Sequence, residues 1–71
     1  MTYAIYQDTK NGLLRLGTFS PKNATSVREI ARQFFARYPS MPRHGVYIAR
    51  RYNNGHGYVD SPDRVPLIAG E

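Results

Sequence analysis

The sequence contains no cysteine and no long apolar run among its 71 residues. Without cysteine, disulfides and cysteine-ligated zinc sites are excluded, and the composition is typical of a reducing compartment. A membrane helix needs about 18 or more consecutive apolar residues, and the first residues lack the basic start and apolar stretch of a signal peptide. These absences predict a cytoplasmic protein that does not insert into a membrane.

Acidic residues are also scarce. Ten Lys and Arg stand against five Asp and Glu, which gives a formal net charge of +5, and eight of the ten basic residues are arginine. Arginine binds phosphates through two parallel hydrogen bonds and stacks on aromatic rings better than lysine does. With six tyrosines and three phenylalanines, this composition favours a nucleic acid or an acidic protein as partner. A basic surface that only keeps the protein in solution is the alternative interpretation.

The short length predicts a single domain. A chain of this size buries only about 60% of the surface that its unfolded state exposes, so its stability is marginal and a homodimer is one way to add to it. We expect a packed domain over residues 1–60, followed by an extended tail over residues 61–71 that contains Pro62 and Pro66. The apolar residues of the tail are expected to dock either on the sheet or on a partner.

Local signals predict an α+β fold with the element order ββαββ. Asn11 and the glycine after it are a strong hairpin signal between two β-rich segments, residues 2–7 and 13–19. Gly17 marks either a bulge or a close approach of the helix. A second hairpin follows the helix and turns at the Asn/Gly-rich residues 53–57. The predicted architecture is an antiparallel sheet with one helix packed on one face, which leaves the other face free.

Residues 24–38 are predicted to form the helix. Ser26 and Glu29 have the spacing of a capping box at its start, and Asn23 and Thr25 are alternative caps. Pro39 is expected to end the helix, because proline disfavours helical geometry in the preceding residue. At about 100° per residue the helix has one apolar arc, and Phe35 borders that arc between two arginines. The arc contains Val27, Ile30, Ala31, Phe34 and Tyr38.

The second hairpin interleaves arginines with tyrosines. If residues 46–52 are extended, even-numbered side chains share one face and odd-numbered side chains share the other. An arginine-and-tyrosine surface suits a polyanion whose bases can stack. Cross-strand packing of the tyrosines, with solvated arginines, is the alternative interpretation. The residues predicted to bind nucleic acid are Tyr47, Arg50, Arg51 and Tyr58, supported by Arg15, Arg28 and Arg32.

The segment Leu16-Gly17-Thr18-Phe19 is followed by a polar turn and an amphipathic helix. Over residues 3–38 this arrangement resembles sheet-plus-helix DNA-binding domains, such as the arm-binding domains of phage-type integrases. Those domains place three strands before the helix, whereas this sequence predicts two. No binding residue is therefore transferred from them.

A protein partner is the second hypothesis. Aromatic residues and arginine dominate interface hot spots. Small basic chains without catalytic motifs are common among phage and mobile-element proteins that inhibit a host protein, for example a defence enzyme or a nucleic-acid-handling enzyme. Ordinary packing at the edge of the core is the alternative for the helical phenylalanine. The predicted anchors for a protein partner are Phe35, Tyr52, Leu67 and Ile68.

Catalysis is the third hypothesis, and it depends on the two histidines. Because histidine titrates near neutrality, His44 or His56 can act as the acid or base of a metal-free ribonuclease, with arginine stabilising the phosphorane. The sequence has no Ser/His/Asp signature, phosphate-binding loop or dinucleotide fingerprint, and its carboxylates show no metal-ligand spacing. We therefore expect a non-enzymatic protein without metal or cofactor.

Overall fold

The structure is a computed structural model that describes residues 1–68 of the chain. It contains one helix and an antiparallel sheet, so the predicted α+β class and the ββαββ order are confirmed. A short fifth strand follows the predicted elements. In chain order the elements are β1 Tyr3–Thr9, β2 Gly12–Phe19, α1 Val27–Arg37, β3 Val46–Asn53, β4 Tyr58–Asp60 and β5 Val65–Pro66.

The sheet has the strand order β2-β1-β3-β4. Strands β1 and β2 form the first hairpin, so the hairpin that the Asn-Gly signal predicts is confirmed. Its turn residues are Lys10 and Asn11, and Gly12 is the first residue of β2. Strand β3 lies beside β1, and its other edge is shared: β5 pairs with Tyr47 and Ile48, while β4 pairs with residues 51–53. The two central strands therefore come from different hairpins.

Strand β2 contains a bulge. Ile5 pairs with Gly17 and Tyr6 pairs with Arg15, so Leu16 is the extra residue. Gly17 has a φ of 151°, which side chains rarely adopt, and a Cβ built there meets nothing within 4 Å. The glycine therefore serves the bulge, and a close approach of the helix is excluded as its reason.

Helix α1 begins later than predicted. Ser26 is its N-cap: the residue is extended, and its Oγ accepts a hydrogen bond from the Glu29 N–H at 3.2 Å. Residues 24–26 therefore precede the helix, which ends at Arg37, two residues before Pro39. At 11 residues it is short, and across residues 1–68 no helix is long and apolar enough to cross a membrane.

The core lies between α1 and the sheet, and Phe34 is at its centre. Its ring makes edge-to-face contacts with Phe19 and Phe35, each with centroids 5.3 Å apart. The sequence analysis puts Tyr38 in the apolar arc and Phe35 at its border, but the structure reverses this: Phe35 is buried, at 5% exposed, whereas Tyr38 is 39% exposed. The buried cluster consists of Ile5, Ile30, Ala31, Phe34, Phe35, Val46, Ile48 and Leu67.

The segment after β4 belongs to the packed domain. Strand β5 pairs with β3, the Leu67 N–H donates to the Val46 carbonyl at 2.9 Å, and the Leu67 side chain lies in the core beside Phe35. The sequence predicts that the tail docks either on the sheet or on a partner. Over residues 61–68 it docks on the sheet. Residues 69–71 lie outside the described part of the chain.

Candidate nucleic-acid interface

The two faces of the sheet differ in what covers them. Helix α1 packs on the face that carries Ile5 and Ile48, and we call the opposite face the open face. The alternation predicted for β3 is confirmed: Val46 and Ile48 are buried under the helix, while Tyr47 and Arg51 lie on the open face. The helix thus decides which side chains of the Arg/Tyr hairpin are available to a partner.

Small residues form the centre of the open face. Ala4 of β1 and Ala49 of β3 are direct partners in the sheet, and they are 0% and 1% exposed. Tyr6 and Tyr47 form the next pair on this face and pack against the alanines. Because alanine leaves space above the strands, longer side chains from several strands can lie across them and meet.

Asp60 is the residue at which these longer side chains meet. Its Oδ2 accepts hydrogen bonds from Arg15 Nε at 2.7 Å and from the Tyr6 hydroxyl at 2.5 Å. Its Oδ1 accepts one from Arg51 Nε at 3.2 Å. Arg64 joins through Tyr6, as described next. We call Asp60, Tyr6, Arg15, Arg51 and Arg64 the Asp60 cluster.

Arg64 lies over the ring of Tyr6. Its guanidinium carbon is 4.5 Å from the ring centroid, and its Nη2 donates to the Tyr6 hydroxyl at 3.2 Å. Its Nη1 donates to the Pro62 carbonyl at 2.8 Å, which holds the guanidinium from the other side. A cation over an aromatic face is attracted by the ring quadrupole, so Arg64 is anchored by the ring, the hydroxyl and the backbone.

The Asp60 carboxylate is held in its ionised form. The hydrogen bond from Arg15 is the largest cause, and it lowers the pKa of Asp60 from 3.8 to about 2 against the opposing effect of partial burial. The same hydrogen bond raises the pKa of Arg15. At neutral pH the cluster therefore holds three guanidinium groups and one carboxylate, a net charge of +2. Asp8, at the far end of β1, is a second carboxylate on this face.

The cluster offers fixed donors beside an exposed ring. Each guanidinium has five N–H groups, and the bonds to Asp60, Tyr6 and the backbone use part of them. Tyr58 is 65% exposed, and the Arg51 guanidinium carbon lies 5.7 Å from its ring centroid. Chemically, this arrangement can bind a phosphate through the arginines and can stack a flat group on the tyrosine.

Four of the seven predicted nucleic-acid contacts come together on the open face: Arg15, Tyr47, Arg51 and Tyr58. Arg50 does not join them, because it follows the even-numbered residues of β3 to the helix side. There it lines a cavity of about 370 Å³ at the start of α1. Arg50 and Arg51, although adjacent in the sequence, thus lie on opposite faces of the sheet.

Arg28 and Arg32 lie on the exposed side of α1, away from the open face. Arg32 forms an ion pair with Glu29 one helical turn earlier, and this contact is the main reason that the pKa of Glu29 is lowered. Both arginines, together with Arg43, line a groove of about 790 Å³ between α1 and the segment after β4. They are therefore separate from the Asp60 cluster.

The residues predicted to anchor a protein partner have different surroundings. Phe35 and Leu67 are buried in the core of this chain, and Ile68 is half-buried against it. Tyr52 is exposed on β3. Phe35 and Leu67 are thus occupied by packing within the domain, which leaves Tyr52 and part of Ile68 accessible.

The two histidines lie at opposite ends of β3. His44 precedes the strand, and His56 lies in the turn to β4. Eight extended residues span about 26 Å, so the two imidazoles do not act on one bond together. Among residues 1–68, no group of three or more potential His, Asp or Glu ligands is close enough to hold a metal ion.

Three members of the cluster were missed by sequence reasoning: Tyr6, Asp60 and Arg64. Asp60 had a signal, because a four-residue turn at residues 54–57 places it opposite Arg51 across the hairpin. The sequence carries no such signal for Tyr6 and Arg64, because Tyr6 lies 54 residues from Asp60 and 58 residues from Arg64, and only the strand order brings them together.

Comparisons with protein-family models, with curated proteins and with solved structures find no match to this chain.

Proposed function

We propose that this chain is a small, non-enzymatic, nucleic-acid-binding accessory protein of the cytoplasm, and that it binds through the open face of its sheet. The observation that carries the proposal is the Asp60 cluster. It gathers three arginines from three parts of the chain around a single carboxylate, so positive charge remains in excess. The exposed Tyr58 ring lies beside it.

The expected mode of binding combines phosphate contacts with stacking. The arginines are already oriented by Asp60, Tyr6 and the backbone, so little side-chain entropy is lost when a phosphate binds. An aromatic side chain on a sheet stacks on unpaired bases, which a duplex keeps inside its own stack. We therefore expect single-stranded DNA or RNA to bind more tightly than the corresponding duplex.

Salt dependence tests the proposal. We expect labelled single-stranded oligonucleotides to bind, as measured by fluorescence anisotropy. The affinity should fall by about 20-fold between about 50 and 200 mM salt, because about three neutralised phosphates release their counterions. Absence of binding at the lower salt concentration would contradict the proposed function as a whole.

Two neighbouring arginines provide a matched pair of variants. Arg51→Ala removes a guanidinium from the cluster, whereas Arg50→Ala removes the same charge from the helix side. We expect Arg51→Ala to reduce the slope of log affinity against log salt by about 0.7–1, and Arg50→Ala to leave it unchanged. Equal effects of the two substitutions would show that the open face is not the contact surface.

A second candidate function is binding and inhibition of a host protein. The observation that favours it is the groove between α1 and the segment after β4, which has apolar walls and carries Arg28, Arg32 and Arg43. Arginine beside apolar surface is typical of interface hot spots. Capture of a protein from nuclease-treated lysate, lost in an Arg28→Ala/Arg43→Ala double variant, would favour this function over nucleic-acid binding.

A further inference from the structure

Exposed apolar side chains are concentrated along one edge of the sheet. Leu13, Leu14 and Leu16 of β2 are 43%, 55% and 44% exposed. Tyr38, at the end of α1, is also exposed and lines a small cavity of about 170 Å³ next to Leu16. Four of the eight exposed large apolar residues in the described chain thus lie at this edge. Leu13 pairs with Asp8 on the open face and Leu14 with Gln7 on the helix side, so apolar side chains flank the edge on both faces of the sheet.

The backbone of β2 is also unpaired on its outer side. Within residues 1–68, β2 pairs with β1 alone. A free edge presents a row of N–H and C=O groups that can pair with another strand. Native proteins usually protect such an edge with a lysine, a proline, an inward-pointing charge or a β-bulge. Strand β2 has the bulge at Leu16 but no proline or lysine.

Charge selects the kind of partner that can bind here. The only ionisable side chain of β2 is Arg15, and Asp60 already binds its guanidinium. Arg15 therefore belongs to the open face, and the outer backbone edge of β2 offers a nucleic acid no further cation. Two copies of this chain, each with a net charge of +5, can approach at this edge without placing unpaired like charges in contact.

We propose that β2 pairs antiparallel with β2 of a second copy, across a two-fold axis perpendicular to the sheet. A two-fold contact uses the same patch on both copies. Here that patch holds Leu14 on the helix side of the sheet and, on the same side, the cavity beside Leu16 that can receive it. This symmetry continues the sheet from one copy into the other and places both helices on the same side. The two open faces then form one surface with two Asp60 clusters.

Mass and exchange measurements on the full chain test this proposal without reference to nucleic acid. We expect sedimentation and light scattering to give twice the 8.1 kDa monomer mass, with dissociation on dilution. We also expect slower hydrogen exchange of β2 amides at higher protein concentration. A monomer over the whole concentration range, or open-ended aggregates in place of a closed dimer, would overturn the proposal.

Leu14→Lys is the decisive variant, because it introduces a charge at the edge of each copy. We expect it to raise the dimer dissociation constant by at least about tenfold, while circular dichroism and thermal unfolding show a folded monomer. Val65→Lys is the matched control, since Val65 is an exposed aliphatic residue on β5 away from this edge, and it should leave the dimer intact. A dimer that survives Leu14→Lys, or that Val65→Lys breaks equally, would show that β2 is not the interface.

Discussion

Phe34→Ala is expected to lower the free energy of unfolding by about 3–5 kcal/mol. The ring is 3% exposed and packs against Phe19 and Phe35 at 5.3 Å and against Tyr38 at 5.1 Å. These neighbours come from a strand and from the helix itself, so they cannot all move inward to fill the cavity. Small domains have a total stability of about 5–15 kcal/mol, so at the lower end of that range this loss leaves little net stability.

Urea denaturation followed by circular dichroism measures this effect. Tyr52→Ala is the control, because it also removes an aromatic ring, but one that is 49% exposed and outside the core. We expect the control to cost about 1 kcal/mol or less. If Phe34→Ala and Tyr52→Ala reduced stability equally, the core would not be centred on Phe34.

Asp60→Ala is expected to lower the free energy of unfolding by about 2 kcal/mol. This value lies between about 0.2–1 kcal/mol for an exposed ion pair and about 3–5 kcal/mol for removing one partner of a buried pair. Asp60 is largely shielded, but its partners Arg15 and Arg51 keep 42% and 27% of their side-chain surface exposed. Removing the carboxylate also leaves the Arg15 and Arg51 guanidinium groups close together without their shared acceptor.

The contribution of Asp60 depends on pH in a defined direction. The pKa of Asp60 falls from 3.8 to about 2 on folding. Between these two pH values the Asp60 carboxylate is therefore protonated to a greater extent in the unfolded chain than in the folded chain. The stabilisation is therefore fully present above about pH 4 and is lost as the pH falls through about 2. We expect wild type to lose more stability than Asp60→Asn does between those two pH values.

Denaturation curves at several pH values for wild type, Asp60→Asn and Asp63→Asn measure this difference. Asp63 is an exposed acidic residue in the loop that follows β4, so its substitution removes the same charge without touching the cluster. We expect Asp63→Asn to follow the wild-type pH dependence. If the Asp60→Asn curve also ran parallel to wild type, the hydrogen bonds at Asp60 would not contribute to stability in solution.

Local sequence signals predict much of this fold. The turn at Asn11, the cap at Ser26 and the alternation along β3 each depend on residues close together in the chain, and each is found in the structure. The position of Gly17 in a bulge has the same local origin, because it follows from a backbone geometry that glycine adopts most easily. The ends of the helix are less well predicted, since several residues near position 25 can act as a cap.

Other features depend on contacts between distant parts of the chain. Phe35 is a core residue because the segment around Leu67 packs over it. The helix sequence alone does not predict this contact, since Leu67 is distant in the chain. The hairpin sequence predicts that both Arg50 and Arg51 bind nucleic acid. Because α1 covers the face that carries Arg50, only Arg51 lies on the open face. The edge position of β2, with its exposed leucines, follows from the strand order and from no local signal.

The sequence by itself determined an α+β domain, its turns, its helix and a surplus of arginine and tyrosine, because propensity, capping and alternation act over a few residues. Only the tertiary structure decided which of those arginines meet. Tyr6 and Arg15 lie 54 and 45 residues from Asp60, and they reach it because β1 lies between β2 and β3. The candidate site was therefore set by the order of strands in the sheet, which a single sequence does not encode in any local pattern.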